Sequence, residues 1–156
     1  MPEPAGPFRP STATFRGKVH VAAAPGEAFP LFSPEGERRW VPGWNPSILH
    51  PPEGHWEAGQ IFTTQEETGE AVWVISRLDR RAHEAEYHRI EPGRYVARVE
   101  VACRPAPEGG TEAAIAYSFT GLSDSGNREI EAMTPEAYEA KLARWTEWIA
   151  RSLDAS

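Results

Sequence analysis

The sequence predicts an α+β fold in which one curved antiparallel sheet, of about six or seven strands, lays its apolar face on a long C-terminal helix. Three observations predict it. Several segments between residues 12 and 121 alternate apolar and polar side chains at the strand period of two. Turn chemistry, such as Glu91-Pro92-Gly93, separates them. The last segment instead repeats its apolar residues at spacings of three and four, the period of a helix.

The elements follow in order. Pro2–Pro10 holds four prolines and little to bury, so residues 1–11 read as a flexible tail ahead of a single domain over 12–153. Thr12–Ala22 puts Ala13, Phe15, Val19 and Val21 on one side and Thr14, Arg16, Lys18 and His20 on the other, a half-buried strand. Two short helices come next. One runs from Pro25 to about Phe32. The other begins at Ser33-Pro34-Glu35, with a hydroxyl cap, a proline in the first turn and an acid at the positive dipole end. Pro42-Gly43 stops it. Ala71–Leu78 and His83–Ile90 form a hairpin. Pairing Leu78 with His83 sets Arg77 against Glu84, turns Tyr87 and Arg89 inward and leaves Trp73 and Ile75 outward. Arg94–Cys103 and Thr111–Gly121 alternate again, with Tyr95, Val99, Tyr117 and Phe119 inside. An extra helical turn covers Asn127–Met133, and Thr134-Pro135-Glu136 starts the final helix, whose stripe is Tyr138, Leu142, Trp145, Ile149 and Leu153.

Composition narrows the function. The chain has 156 residues and a formal charge of −7, and nucleic-acid binders usually carry the opposite excess. Cys103 is the only cysteine, which leaves no disulfide framework and suits a reducing, cytoplasmic setting. No apolar run approaches the length of a membrane span or a signal-peptide core. The hydrolase, zincin, phosphate-loop and dinucleotide signatures are all missing, so no cofactor is expected. His50 and His55 flank Pro51-Pro52-Glu53-Gly54 but lack a third ligand, so no metal is expected either.

The chemistry-bearing candidates are few. Arg89 shares the inward face with Tyr87; it either sits at the cavity rim and snorkels out, or meets a carboxylate such as Glu35, Glu66 or a ligand acid. Tyr87, Tyr95 and Tyr117 bring hydroxyls that need partners. His83 is inward near the sheet end, as a satisfied histidine or a proton carrier, while His20 and His88 face solvent. Glu35, Glu37, Arg38 and Arg39 read as a solvated helix face, with Glu35 or Glu37 as a carboxylate base the alternative. Six tryptophans stand out: Trp40 and Trp44 bracket the Pro-Gly loop, Trp145 and Ile149 face the sheet, and Trp56 falls in a loop with no assigned place. A curved sheet wrapped on a helix leaves a cleft, and clefts of this kind favour apolar ligands.

The run Leu31-Phe32-Ser33-Pro34-Glu35-Gly36-Glu37-Arg38-Arg39-Trp40-Val41-Pro42-Gly43-Trp44-Asn45-Pro46 resembles the START-related, Bet v 1-like superfamily, also called the SRPBCC or polyketide cyclase/dehydrase-like group. Gly59-Gln60-Ile61-Phe62, Trp73–Asp79 and Glu86–Ile90 support the resemblance, which spans about residues 12–153. It implies a helix-grip fold with a cavity between sheet and last helix that takes lipids, sterols, polyketides or aromatic molecules. It carries over no catalytic residue. The expected cavity lining is Tyr87, Arg89, Tyr95, Tyr117, Phe119, Trp40, Trp44, Phe62, His83, Trp145 and Ile149. The leading expectation is a cofactor-free carrier or sensor of a hydrophobic small molecule. One alternative is an aromatase/cyclase-like enzyme in which Arg89, Tyr87 or His83 polarises a carbonyl. Another is a protein-interaction module like the Hsp90-activator relatives, using an outer apolar patch at Trp73 and Ile75. The same patch would equally serve a homodimer.

Overall fold

The structure is a computed structural model and describes residues 6–155; the first five residues of the expected tail lie outside the described residues. Seven strands form one antiparallel sheet: β1 (Thr12–Val21), β2 (Ser47–His50), β3 (Ile61–Glu66), β4 (Gly69–Asp79), β5 (Glu84–Glu91), β6 (Tyr95–Pro105) and β7 (Thr111–Gly121). Their spatial order is β1-β7-β6-β5-β4-β3-β2, so the first two strands are the two edges. Between them run α1 (Pro25–Ala28), a 3₁₀ turn (Phe29–Phe32) and α2 (Pro34–Glu37). After the sheet come α3 (Asp124–Glu131) and α4 (Pro135–Asp154). No helix among the described residues is long and apolar enough to cross a membrane.

Local chemistry builds these elements as expected. Ser33 Oγ accepts the backbone N–H of Gly36 and Thr134 Oγ1 that of Ala137, so both hydroxyl–proline starts are working caps. Helix α4 buries Tyr138, Leu142 and Ile149 against the sheet. It crosses β1 at Gly17, where a Cβ would sit 2.5 Å from Leu142 Cδ1. The Tyr138 hydroxyl donates to the Ile115 carbonyl at 2.7 Å and fixes α4 over β7.

The β4–β5 hairpin corrects the sequence reading. Ile75 pairs with Tyr87 but Arg77 pairs with Glu86, so Ser76 is the extra residue of a β-bulge. Its hydroxyl is held by the Glu86 side chain at 2.9 Å and by His88 Nδ1 at 2.9 Å. Counting back from Leu78 along a straight strand puts Val72 and Val74 inside. The inserted residue reverses the phase, and Trp73 (7% exposed) and Ile75 (0%) face the core instead. The pairing of Leu78 with His83 gives way to Leu78 with Ala85. The Arg77–Glu84 ion pair survives as a diagonal contact at 3.0 Å. The outer apolar patch expected at Trp73 and Ile75 is therefore absent.

At one end of the trough a charged lattice ties sheet to helix. Glu91 is buried and receives Arg94, and Arg89 Nε lies 3.3 Å from its Oε2. Arg94 continues to Glu129 on α3 through two bonds of 2.7 and 2.9 Å. The carboxylate partner of Arg89 is thus neither Glu35 nor Glu66 but Glu91, two residues along its own strand.

Candidate functional site

A cavity of about 310 Å³ lies between the sheet, α2, the Val41–Asn45 loop and α4. Its size is at the lower end of the range for small-molecule sites, roughly 300–1,000 Å³. Strands contribute Phe62, Trp73, Tyr87, Val99, Val101 and Tyr117, all on inward phases. Helix α4 adds Lys141 and Trp145, one turn apart. The side opposite comes from Pro34, Glu37, Val41 and Trp44, spaced by three and four residues so that one face of α2 and the turns after it looks inward.

The aromatic wall is rigidly held. Phe62 stacks on Trp73 at 5.5 Å, and Trp44 meets Trp73 edge-on at 5.6 Å. The ring N–H of Trp44 donates to the Pro34 carbonyl at 2.8 Å, and that of Trp73 to Thr64 Oγ1 at 3.0 Å. Tyr87 spends its hydroxyl on the Phe32 carbonyl at 2.8 Å, which pins the 3₁₀ turn to β5. The Tyr117 hydroxyl has no hydrogen-bond partner among the described residues. Burial pushes the pKa of both phenols up, so both keep their protons.

Four charged side chains border this space, Glu37, Glu66, Arg89 and Lys141; Glu66 accepts from Thr64 and Arg89 lies against Glu91, which leaves two without partners. Glu37 makes no hydrogen bond or ion pair among the described residues, and burial pushes its carboxyl well above the usual range; Lys141 pulls part of the way back. Lys141 Nζ rests 4.1 Å from the centre of the Tyr117 ring and 5.3 Å from that of Trp145. Its amine also lacks a hydrogen bond or ion pair among the described residues. Burial first, then the nearby Arg89 charge, pushes its pKa down to about 7, against the opposing pull of Glu37. The space thus offers an acid and an amine, each with an unspent hydrogen-bonding position. The solvated face expected for Glu37 is not found. Glu35, Arg38 and Arg39 do form it, all three exposed, with Glu35 and Arg38 paired at 2.9 Å.

Of the expected lining, the cavity brings together Tyr87, Arg89, Tyr117, Trp44, Phe62 and Trp145. Tyr95 and Phe119 line a neighbouring cavity of about 220 Å³ with Tyr138 and Met133, and Arg89 and Lys141 border both spaces. Trp40 is one layer behind the wall; its ring N–H donates to the Leu31 carbonyl and its ring meets Trp145 at 5.5 Å. Ile149 is wholly buried in the core below. His83 occupies the last loop position before β5 with φ of 57°, its ring against Phe29, outside the cavity wall. Trp56, unplaced from sequence, covers Phe29 at 4.9 Å. Lys141 was missed, though it falls on a visible periodicity, three residues after Tyr138 and four before Trp145; Glu37 reads from sequence mainly as solvated, with a carboxylate-base role only as the alternative. Among the described residues no group of three or more His, Cys, Asp or Glu gathers as a metal would require.

Seven antiparallel strands gripping a C-terminal helix, with short helices after the first strand, are the helix-grip fold of the Bet v 1-like superfamily. Solved structures with this fold align over nearly the whole chain. Ara h 8.0201 matches with a TM-score of 0.66 at 12% identity, over 92% of this chain and 99% of that one. Norcoclaurine synthase from Thalictrum flavum matches with a TM-score of 0.64 at 13% identity, over 90% and 88% of the two chains; it has also been solved with dopamine and hydroxybenzaldehyde. An uncharacterized protein from Rhizobium leguminosarum matches with a TM-score of 0.60 at 17% identity, over 92% and 97%. No family model and no curated protein matches the sequence.

Proposed function

We propose that the chain binds a compact aromatic or otherwise apolar small molecule in the cavity between sheet and α4, as a carrier or sensor. The observation that carries this reading is an aromatic-walled space of about 310 Å³ holding three unspent polar groups, Glu37, Lys141 and the Tyr117 hydroxyl. Apolar burial supplies affinity at roughly 25 cal/mol per Å² of ligand surface. The acid and the amine fix orientation, as the few polar groups of such sites do. The volume favours one or two rings over a sterol or a long acyl chain. Norcoclaurine synthase, solved with two small aromatic molecules, supports that class of ligand for this fold. Titration with naphthols while following tryptophan fluorescence tests the reading, because Trp44, Trp73 and Trp145 all line the space. Saturable quenching is expected, and Val99→Phe, which fills the cavity, abolishes it while the circular dichroism is unchanged. Absence of saturation, or equal binding by the filled variant, overturns it.

One observation favours a second reading, an aromatase/cyclase-like enzyme: an acid and an amine border the same cavity. The groups first expected to do this work are otherwise engaged. Tyr87 is bonded to Phe32, Arg89 is held near Glu91, and His83 is outside the cavity. Turnover of a polyketide-like substrate that Glu37→Gln abolishes without loss of binding is the expected result; binding with no turnover in the native protein excludes it.

A further inference from the structure

The chain has only two lysines, Lys18 and Lys141, beside fourteen arginines. Lys18 is 67% exposed on β1 and paired with Glu112 at 2.8 Å. Lys141 is the opposite case. Its amine has no ion-pair partner among the described residues, stands over Tyr117 and Trp145, and borders the cavity with Glu37. An amine desolvated in a pocket beside a second cation shifts toward its unprotonated form, and the unprotonated fraction of a lysine is a nucleophile toward carbonyl carbon. Arginine, always protonated, cannot take this role.

We infer that Lys141 forms a reversible imine with the aldehyde group of an aromatic ligand seated in the cavity, and that Glu37 delivers the proton that releases water. The inference rests on the cavity-binding reading above. The Lys141 nitrogen lone pair attacks the carbonyl carbon, and the carbonyl π pair moves onto oxygen, which takes the proton that the nitrogen gives up. In the resulting carbinolamine the hydroxyl leaves as water with a proton from the Glu37 carboxyl. The nitrogen lone pair closes the C=N bond, and the iminium N–H returns a proton to the Glu37 carboxylate. Aldehyde and amine are converted to imine and water with no oxidant or reductant. Burial supports both proton states, since it raises the Glu37 pKa and lowers that of Lys141. The charged and titratable groups facing the amine are Arg89 from β5, Glu37 from α2, Glu66 from β3, Tyr117 from β7 and Arg144 on α4 itself.

The test incubates the whole protein with 2-naphthaldehyde and sodium cyanoborohydride, which reduces an imine to a stable secondary amine. In parallel, 2-naphthalenemethanol, which has no carbonyl, is titrated by tryptophan fluorescence. The expected result is a mass gain of one aldehyde less one oxygen, mapped to the peptide holding Lys141. It forms at least about tenfold faster than at Lys18 near neutral pH, with a rate that rises through about pH 7 and not only near the ordinary lysine range of about 10.4. Lys141→Met loses the adduct and still binds the alcohol, and Glu37→Gln slows trapping. Binding of the alcohol with no adduct, or labelling of Lys18 and the terminal amine as fast as Lys141, overturns the imine and leaves the cavity reading standing. Failure of both probes overturns both. If Lys141→Met does not fold, peptide mapping of the native protein still decides, because the only other lysine is remote in exposure and pairing.

Discussion

At the scale of single residues, the folded state carries a measurable cost at Lys141. Its pKa is pushed down to about 7, against an ordinary 10.5. Between those values the unfolded chain binds more protons than the folded one, so this residue makes stability rise as pH climbs through that window. Below about pH 7 the cost is at its full value. Lys141→Met removes it, and the variant is expected to gain about 1–2 kcal/mol over the native protein at pH 6. That gain shrinks steadily toward pH 10, as read from urea midpoints; a gain constant across the range contradicts the titration. Tyr87→Phe has the reverse sign. It strips the Phe32 carbonyl of its donor in a buried setting, and a loss of about 1–3 kcal/mol is expected by the same measurement. The sequence revealed these residues unequally. Tyr87 and Tyr117 follow from strand alternation. Lys141 and Glu37 do not, because helical spacing says where a side chain points but not whether the facing surface is water or a cavity. Arg89 was readable as an inward charge; its neighbour Glu91 was not, because it falls at the strand end where turn and strand readings compete.

At the scale of elements, α2 sets the position of Glu37, and Gly36 sets the position of α2. A Cβ at Gly36 would lie 1.9 Å from the Pro30 carbonyl oxygen and 2.9 Å from Leu31 Cα, both backbone atoms that cannot swing aside. Gly36→Ala is expected to cost about 1–3 kcal/mol and to weaken ligand binding by lifting α2 off the 3₁₀ turn. An alanine variant with native urea midpoint and native affinity refutes that coupling. The elements themselves were legible wherever one phase of the pattern was polar, as in β1, β6 and α4. In β4 both phases are apolar, Val72 and Val74 against Trp73 and Ile75, so alternation alone does not choose between them. The bulge at Ser76 then defeats any count made from the polar end of the strand. Strands β2 and β3 sit among prolines and loop histidines, where a four-residue edge strand leaves little periodic signal.

At the scale of the whole molecule, the Glu91 lattice couples the end of the sheet to α3. Glu91→Ala leaves Arg89 and Arg94 without their shared carboxylate in a largely buried place. A loss of about 3–5 kcal/mol is expected, seen as a lower denaturation midpoint; a neutral outcome excludes a structural role for the cluster. The overall architecture was readable because a single-faced sheet and a single-striped helix have one economical way to cover each other. The cavity was less so, since its volume depends on how far the sheet curves away from α4, which no local pattern records. The pairing of the first strand with the last has a further consequence, in time rather than space. Thr14 on β1 bonds to Ser118 on β7, 104 residues later. During synthesis at roughly 5–20 residues per second, β1 waits several seconds for its only strand neighbour. Through that interval the apolar side of β1, later sealed by α4, lacks its native cover, since its main contacts are with β7, α3 and α4.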